Sequence, residues 1–312
     1  MPDILIIGNG AAGRKAAETI RKANKDASVL MVTDEPFPFY PRPRLSLGYI
    51  SGEVTREGLY MAPDFYSKNA VSLVFGSVAS VHPASNSISL SDGSKLSYKV
   101  LLIASGASAF APPWEGASLD GVVTLRTMAD ADNIIARLES ADSAVVAGGG
   151  ILGCEVAEAV NKRGKKAIIL VRGGKDKVGA PALVPEKAAA RCDAMISSGI
   201  DVMTEEEVAR INGSGKVEEV VTASGKTLKT SLVIVTIGAR ANTGFLKDSG
   251  IETGRGVIVG AELVTPAFPN VFAAGDSAEV TGDGKEKQQY GSPYINASKQ
   301  GEYAAVKMLD LL

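Results

Sequence analysis

GNGAAG at Gly8–Gly13 and GGGILG at Gly148–Gly153 are two copies of one glycine pattern, G-x-G-x-x-G, set 140 residues apart. The first follows the apolar run Ile4-Leu5-Ile6-Ile7, the second follows Ala144-Val145-Val146-Ala147, and each leads into a helical pattern. That strand, turn and helix context separates a phosphate cradle from an ordinary glycine turn. The first glycine makes the tight turn, the second lets the backbone approach a pyrophosphate, and the third lets the helix pack closely on its strand. The helix N-terminus then offers unpaired N–H groups and the positive end of its dipole to the phosphates. One candidate cradle is Gly8, Gly10 and Gly13 with Ala12; the other is Gly148, Gly150 and Gly153 with Ile151 and Leu152. Two cradles imply two dinucleotide sites.

The duplication extends beyond the glycines. DGSKLSYKVLLIASGA, Asp92–Ala107, aligns with SGKTLKTSLVIVTIGA, Ser224–Ala239, at an offset of 132. Both stretches read as a turn, a short polar strand and a buried apolar strand ending in Gly-Ala. Each half is therefore a βαβ unit with a small antiparallel excursion that returns to a parallel sheet. The expected class is α/β, with two related nucleotide-binding domains.

A chain of 312 residues has room for two domains, each burying its own core. A hydrophobic fraction of 45% is ordinary for an α/β protein, and 34 glycines suit a turn-dependent fold. The formal net charge is −2, from 33 basic and 35 acidic residues without a long run of one sign, which excludes a nucleic-acid footprint. No apolar stretch reaches transmembrane length, and the first strand opens at once into GNGAAG rather than a signal peptide. A cytoplasmic chain with no membrane or nucleic-acid partner is expected.

Cys154 and Cys192 are the only cysteines and lie 38 residues apart, which excludes a C-x-x-C redox pair. Cys154 follows Gly153 where the helix meets the sheet and reads as a small core residue. His82 is the only histidine, so neither a His-based metal site nor a Ser-His triad can be assembled.

GNGAAG, TDEPFPFYPRPRLS, LLIASGA, GGGILGCE and FAAGD followed by NASKQGEYAA occur in that order. As an ordered set they resemble the FAD-dependent pyridine nucleotide-disulfide oxidoreductase superfamily, in its branch of rubredoxin reductases, ferredoxin reductases and nitrite reductase flavin modules. The resemblance covers essentially the whole chain. It implies two Rossmann-like domains, the second inserted in the first: an FAD domain of residues 1–112 and 240–312, and an NAD(P)H domain of residues 113–239.

Glu35, 22 residues after Gly13 at the end of VLMVTDE, has the spacing of an acid that accepts the adenosine ribose hydroxyls, with Asp34 competing for that role. The resemblance puts Arg42 on the arginine of an RPxLS segment beside the flavin and its phosphates, with Arg44 a second candidate. The neighbouring prolines stiffen that loop and lower the entropy cost of meeting a phosphate. The resemblance further implies Asp276 on the ribityl chain, Gly275 where backbone passes close to it, and Val78, Ala104, Ser105 and Gly106 along the FAD. Ser292 and Pro293 read as the N-cap and first residue of the last helix. That helix start, with Tyr294, would face the pyrimidine edge of the flavin, where the positive dipole end stabilises negative charge.

In the second half, Glu155 occupies the family's glutamate near the meeting of nicotinamide and flavin, and it equally suits compensation of the helix dipole. At the end of AIILV an NADH-preferring relative usually has an acid, whereas this chain has Arg172, followed by Lys175 and Lys177. Those cations suit a 2′-phosphate, so NADPH is favoured over NADH. Gly238 completes the NAD(P)H set.

Three departures from the family pattern refine the expected function. The loop 40–50 offers no thiolate, so the flavin itself must pass electrons on. Leu47 replaces the lysine that many relatives pair with the glutamate matching Glu155. Relatives also continue into a further domain that covers the flavin, so a small carrier protein or a partner subunit is expected on that face, with the chain a monomer or part of a hetero-oligomer. The leading expectation is an NAD(P)H-dependent FAD oxidoreductase that sends hydride to flavin N5 and electrons to a carrier such as rubredoxin or ferredoxin. The alternatives are an NAD(P)H oxidase or quinone reductase, and a non-catalytic flavoprotein subunit.

Overall fold

The computed structural model describes residues 1–180, 183–287 and 292–312. The chain divides into two units, one of Met1–Pro41, Tyr60–Ser108 and Arg240–Leu312, the other of Arg42–Leu59 and Ala109–Ala239.

The first unit is built on a parallel sheet in the order Val271–Ala273, Val100–Ile103, Ile4–Ile7, Val29–Thr33, Val71–Phe75. Its central strands ILII and VLLI are buried at every position, as a sheet covered on both faces requires. The helix Ala11–Ala23 turns Ala12, Gly13, Ala16, Ala17 and Ile20 inward, mostly small side chains that let it approach closely. The last helix, Pro293–Leu309, lies directly on it: a Cβ added at Gly301 would fall 2.1 Å from the Ala12 carbonyl oxygen. Glycine at 301, within the stretch NASKQGEYAA, is the condition for that approach.

The second unit repeats the plan with the parallel order Asp201–Thr204, Lys166–Val171, Ser143–Ala147, Val233–Val235, Val122–Thr124. Each unit also has a three-stranded antiparallel excursion, Val78–His82, Ser87–Leu90 and Lys95–Ser97 in the first, Val208–Asn212, Glu219–Thr222 and Thr227–Lys229 in the second. The first hairpin of each shifts register near its start, between Val78 and Ser80 and between Val208 and Arg210. The duplication thus reaches to a local bend in the ladder.

Residues 42–59 depart from the expected partition, which kept 1–112 together. They form part of the second unit because their polar side chains are used there. Arg42 donates to the Arg126 carbonyl at 2.7 Å, Tyr49 and Arg56 reach the two Asp132 oxygens at 2.6 and 2.7 Å, and Arg163 donates to the Ile50 carbonyl. The stretch expected as loop contains a π-helical turn, Leu45–Ile50. Among the described residues no helix is long and apolar enough to cross a membrane.

Candidate functional site

In the first unit the fingerprint, the end of the Val100–Ile103 strand and the Gly275 turn converge. Gly8 is left-handed at φ +108°, and a Cβ there would lie 2.1 Å from the Ala104 carbonyl oxygen; one at Gly13 would lie 2.0 Å from that of Gly8. At Gly10, by contrast, no described residue stands within 4 Å of the Cβ position. Gly10 is also the N-cap of Ala11–Ala23, and no side chain caps that helix and no acid occupies its first turn. The outer glycines are consumed by backbone contacts while the middle one faces open space above uncapped N–H groups. That arrangement fits the pyrophosphate of a dinucleotide.

Around this cradle, Asn242 ties the Ala104–Gly106 turn: its amide nitrogen donates to Ser105 O at 3.0 Å and its backbone N–H to Gly106 O at 2.9 Å. Gly275, left-handed at φ +77°, donates its N–H to the buried Gln300 side-chain oxygen at 2.8 Å, and its Cβ position lies 3.2 Å from the Ala12 and Ala297 methyls. Asn9 is braced by the Tyr66 hydroxyl at 2.7 Å. Sequence reasoning missed Asn242, Gln300 and Tyr66, because each acts through contacts tens of residues distant.

Glu35 is half-buried and accepts from the Tyr40 hydroxyl, while Asp34 is exposed. Asp276 stands exposed on the turn Gly275–Ser277, and Val78 is half-buried at the start of its strand. Ser292 is the N-cap residue and Pro293 opens the last helix, although the serine hydroxyl makes no capping bond. Burial of Tyr294 pushes its phenol up. Arg42 and Arg44 fall in the second unit, where Arg44 donates to Gly58 O at 3.2 Å.

The second unit repeats the cradle. Gly148 is left-handed at φ +118°, with its Cβ position 2.8 Å from Thr236 O, and that of Gly153 lies 1.8 Å from Gly148 O. Among the described residues Gly150 again is open, its nearest neighbour being Ala180 O at 3.6 Å. Ile151 and Leu152 form the half-buried first turn of Ile151–Lys162, and Gly238, exposed at φ +135°, accepts from Phe110 N at 3.0 Å.

Glu155 accepts a 2.6 Å hydrogen bond from Ser46, which is fully buried on the π-helical turn. The Glu155 carboxylate is thus held by the hydroxyl of the residue next to Leu47. Cys154 is fully buried and burial pushes its thiol up to about 11, so it is no nucleophile at neutral pH.

Arg172 is exposed just beyond the strand Lys166–Val171 and makes no ion pair among the described residues. Lys175 and Lys177 are already engaged, with Asp193 at 2.7 Å and Asp176 at 2.9 Å. The basic cluster expected from the sequence therefore reduces to one uncommitted cation.

Next to it, Glu206 is buried and accepts from the Ser224 hydroxyl, from Ser224 N at 3.4 Å and from Lys226 at 3.3 Å. The Ser224 bond above all holds its carboxyl down at about 2, against an ordinary 4.5. Because the folded pKa is depressed, this stabilisation is present above the unfolded pKa and lost as pH falls through the folded one. Chemical denaturation at stepped pH should show stability declining from about pH 4.5 towards about 2. Glu206→Gln should flatten that decline and lower stability at neutral pH; an unchanged profile would remove the carboxylate from the account.

Residues 2–301 match the family described as pyridine nucleotide-disulphide oxidoreductase. The biphenyl dioxygenase system ferredoxin–NAD(+) reductase component of Paraburkholderia xenovorans (strain LB400) is 32% identical over 310 residues, a span of 98% of this chain and 74% of that protein. A rubredoxin-NAD(+) reductase of Ectopseudomonas oleovorans is 30% identical over 278 residues, 88% of this chain and 71% of the relative. Among solved structures, the covalent putidaredoxin reductase–putidaredoxin complex superposes with a TM-score of 0.89 at 26% identity, covering 99% of this chain and 75% of that one. With a family match along nearly its whole length and two open-centred glycine cradles to account for it, the chain belongs to the pyridine nucleotide-disulphide oxidoreductase family.

Proposed function

We propose that this chain is an NAD(P)H-dependent FAD oxidoreductase that delivers electrons to a small carrier protein of the ferredoxin or rubredoxin kind, with no redox-active disulfide. The observation that supports it most is the contrast within each cradle, outer glycines sealed by backbone and Gly10 and Gly150 left open. The carrier class follows the relatives, whose names specify ferredoxin and rubredoxin.

FAD, when bound, supplies the two-electron acceptance and release that no side chain here provides. The protein's part is to hold and orient. In this reading the N–H groups beyond Gly10 take the pyrophosphate, Glu35, oriented by Tyr40, takes the adenosine ribose, and Asp276 takes the ribityl chain. Ala104, Ser105 and Gly106, kept in place by Asn242, lie along the FAD, and the start of the last helix faces the pyrimidine edge of the flavin. Arg42 and Arg44 anchor residues 42–59 within the second unit. Gly150 and its helix take the NAD(P)H pyrophosphate, Arg172 its 2′-phosphate, and Glu155, fixed by Ser46, borders the nicotinamide.

Steady-state turnover of the FAD-loaded protein with NADPH or NADH and purified ferredoxin, rubredoxin, quinone or dioxygen tests the proposal. A carrier protein should be reduced fastest. Faster reduction of quinone or dioxygen would make it a quinone reductase or oxidase, and slow turnover with every acceptor would make it a non-catalytic flavoprotein subunit. Separately, Asp276→Ala should weaken FAD binding by about 1.5–3 kcal/mol, the contribution of a hydrogen bond to a charged group. Unchanged affinity in a flavin-fluorescence titration would move the ribityl contact elsewhere.

A further inference from the structure

The two half-chains place their acids on different strands. In the first unit, Val29–Thr33 runs into Asp34-Glu35, while the neighbouring strand, paired through Thr33 and Phe75, runs into Gly76. In the second unit, Lys166–Val171 runs into Arg172-Gly173. Its neighbour Asp201–Thr204, with Thr204 opposite Val171, runs into Glu205-Glu206-Glu207. The acid absent from the expected strand is present one strand over.

Backbone bonds fix Glu205 beside Arg172: Glu205 N donates to Gly173 O at 2.9 Å, and Glu206 N to Val171 O at 3.1 Å. The buried Glu206 carboxylate, bonded to Ser224 and Lys226, clamps the turn from below. Glu205 itself is held at φ +59°, a left-handed conformation that a non-glycine residue enters only at an energetic cost. The Arg172 loop is equally constrained, through Lys175 to Asp193 and through Gly179 N to Gly149 O at 2.7 Å. Both Glu205 and Arg172 are exposed, and neither makes an ion pair among the described residues, with each other or with a third group. Two residues of opposite charge, neither ion-paired among the described residues, thus occupy neighbouring strand ends at the edge where this fold reads the adenosine ribose.

We infer that Glu205 is a second coenzyme-reading residue, whose carboxylate accepts from ribose hydroxyls and repels a 2′-phosphate. It offsets Arg172, so discrimination between NADPH and NADH is the difference between an attraction on one strand and a repulsion on the next. This rests on the proposed coenzyme site.

Calorimetric titration of the FAD-loaded protein with 2′,5′-ADP and with 5′-AMP tests it without turnover. Glu205→Gln should bind 2′,5′-ADP roughly three- to ten-fold tighter, with no gain for 5′-AMP, and added salt should shrink the gain, since the charges are exposed. The ratio of kcat/KM for NADPH over NADH should rise by a similar factor, mainly through KM. Glu205→Gly, which removes the same charge and releases the left-handed strain, should show the same tightening with a higher Tm. If neither variant tightens 2′,5′-ADP while Arg172→Glu still weakens it, the Glu205 inference falls and the Arg172 reading stands. If Arg172→Glu is also without effect, the coenzyme site itself lies elsewhere.

Discussion

Gly10→Val should purify folded but colourless. Valine fits the Gly10 backbone, at φ −82°, and no described residue lies within 4 Å of its Cβ position, so the substitution asks nothing of the core. What it fills is the volume above the first turn of Ala11–Ala23, where the pyrophosphate must reach the N–H groups. Losing two charge-assisted hydrogen bonds, at about 1.5–3 kcal/mol each, lowers FAD affinity by roughly two to four orders of magnitude. The cost to stability should be near 1 kcal/mol, because valine is a poorer N-cap than glycine. Gly8→Ala and Gly13→Ala should behave differently: their new methyls meet carbonyl oxygens at 2.1 and 2.0 Å, and Gly8 is left-handed as well, so the fold itself should suffer. Absorbance of the bound flavin and thermal unfolding, measured on all three, separate the two effects. A yellow Gly10→Val protein with wild-type FAD affinity would overturn the cradle assignment.

Arg172→Glu should invert coenzyme choice. On the proposed coenzyme site, the substitution removes a charge-assisted pair with the 2′-phosphate and adds a repulsion, in a place where Lys175 and Lys177 are already occupied by Asp193 and Asp176. The NADPH to NADH ratio of kcat/KM should fall roughly ten-fold to several hundred-fold, the effect of about 1.4–3.5 kcal/mol. NADH should remain a substrate. The loss should appear chiefly in KM, because a 2′-phosphate is remote from the hydride and contributes equally to ground and transition states. If stopped-flow reduction of the wild type is faster with NADH than with NADPH at equal subsaturating concentration, the NADPH preference is refuted.

The sequence by itself determined the plan of the molecule. Two glycine fingerprints, each behind an apolar run, fix where strand gives way to helix, because only glycine tolerates the backbone approaches at Gly8, Gly13, Gly148 and Gly153. The aligned stretches Asp92–Ala107 and Ser224–Ala239 specified the excursions, since a period of two and a terminal Gly-Ala are local signals. Local signals are silent about long-range partners. That residues 42–59 belong with the second unit depends on Arg42, Tyr49, Arg56 and Arg163 finding acceptors across the chain. Ser46 taking Glu155, Asn242 holding Ser105 and Gly106, and Gly301 admitting Ala12 are likewise products of tertiary packing. The basic cluster VRGGKDK looked like three available cations in one dimension. In three it is one cation with an acid beside it, because strand pairing brings Glu205 to Gly173 while ion pairing uses up both lysines. Composition and motif spacing state which chemistry a chain can host; only the register of neighbouring strands decides which charges meet the ligand together.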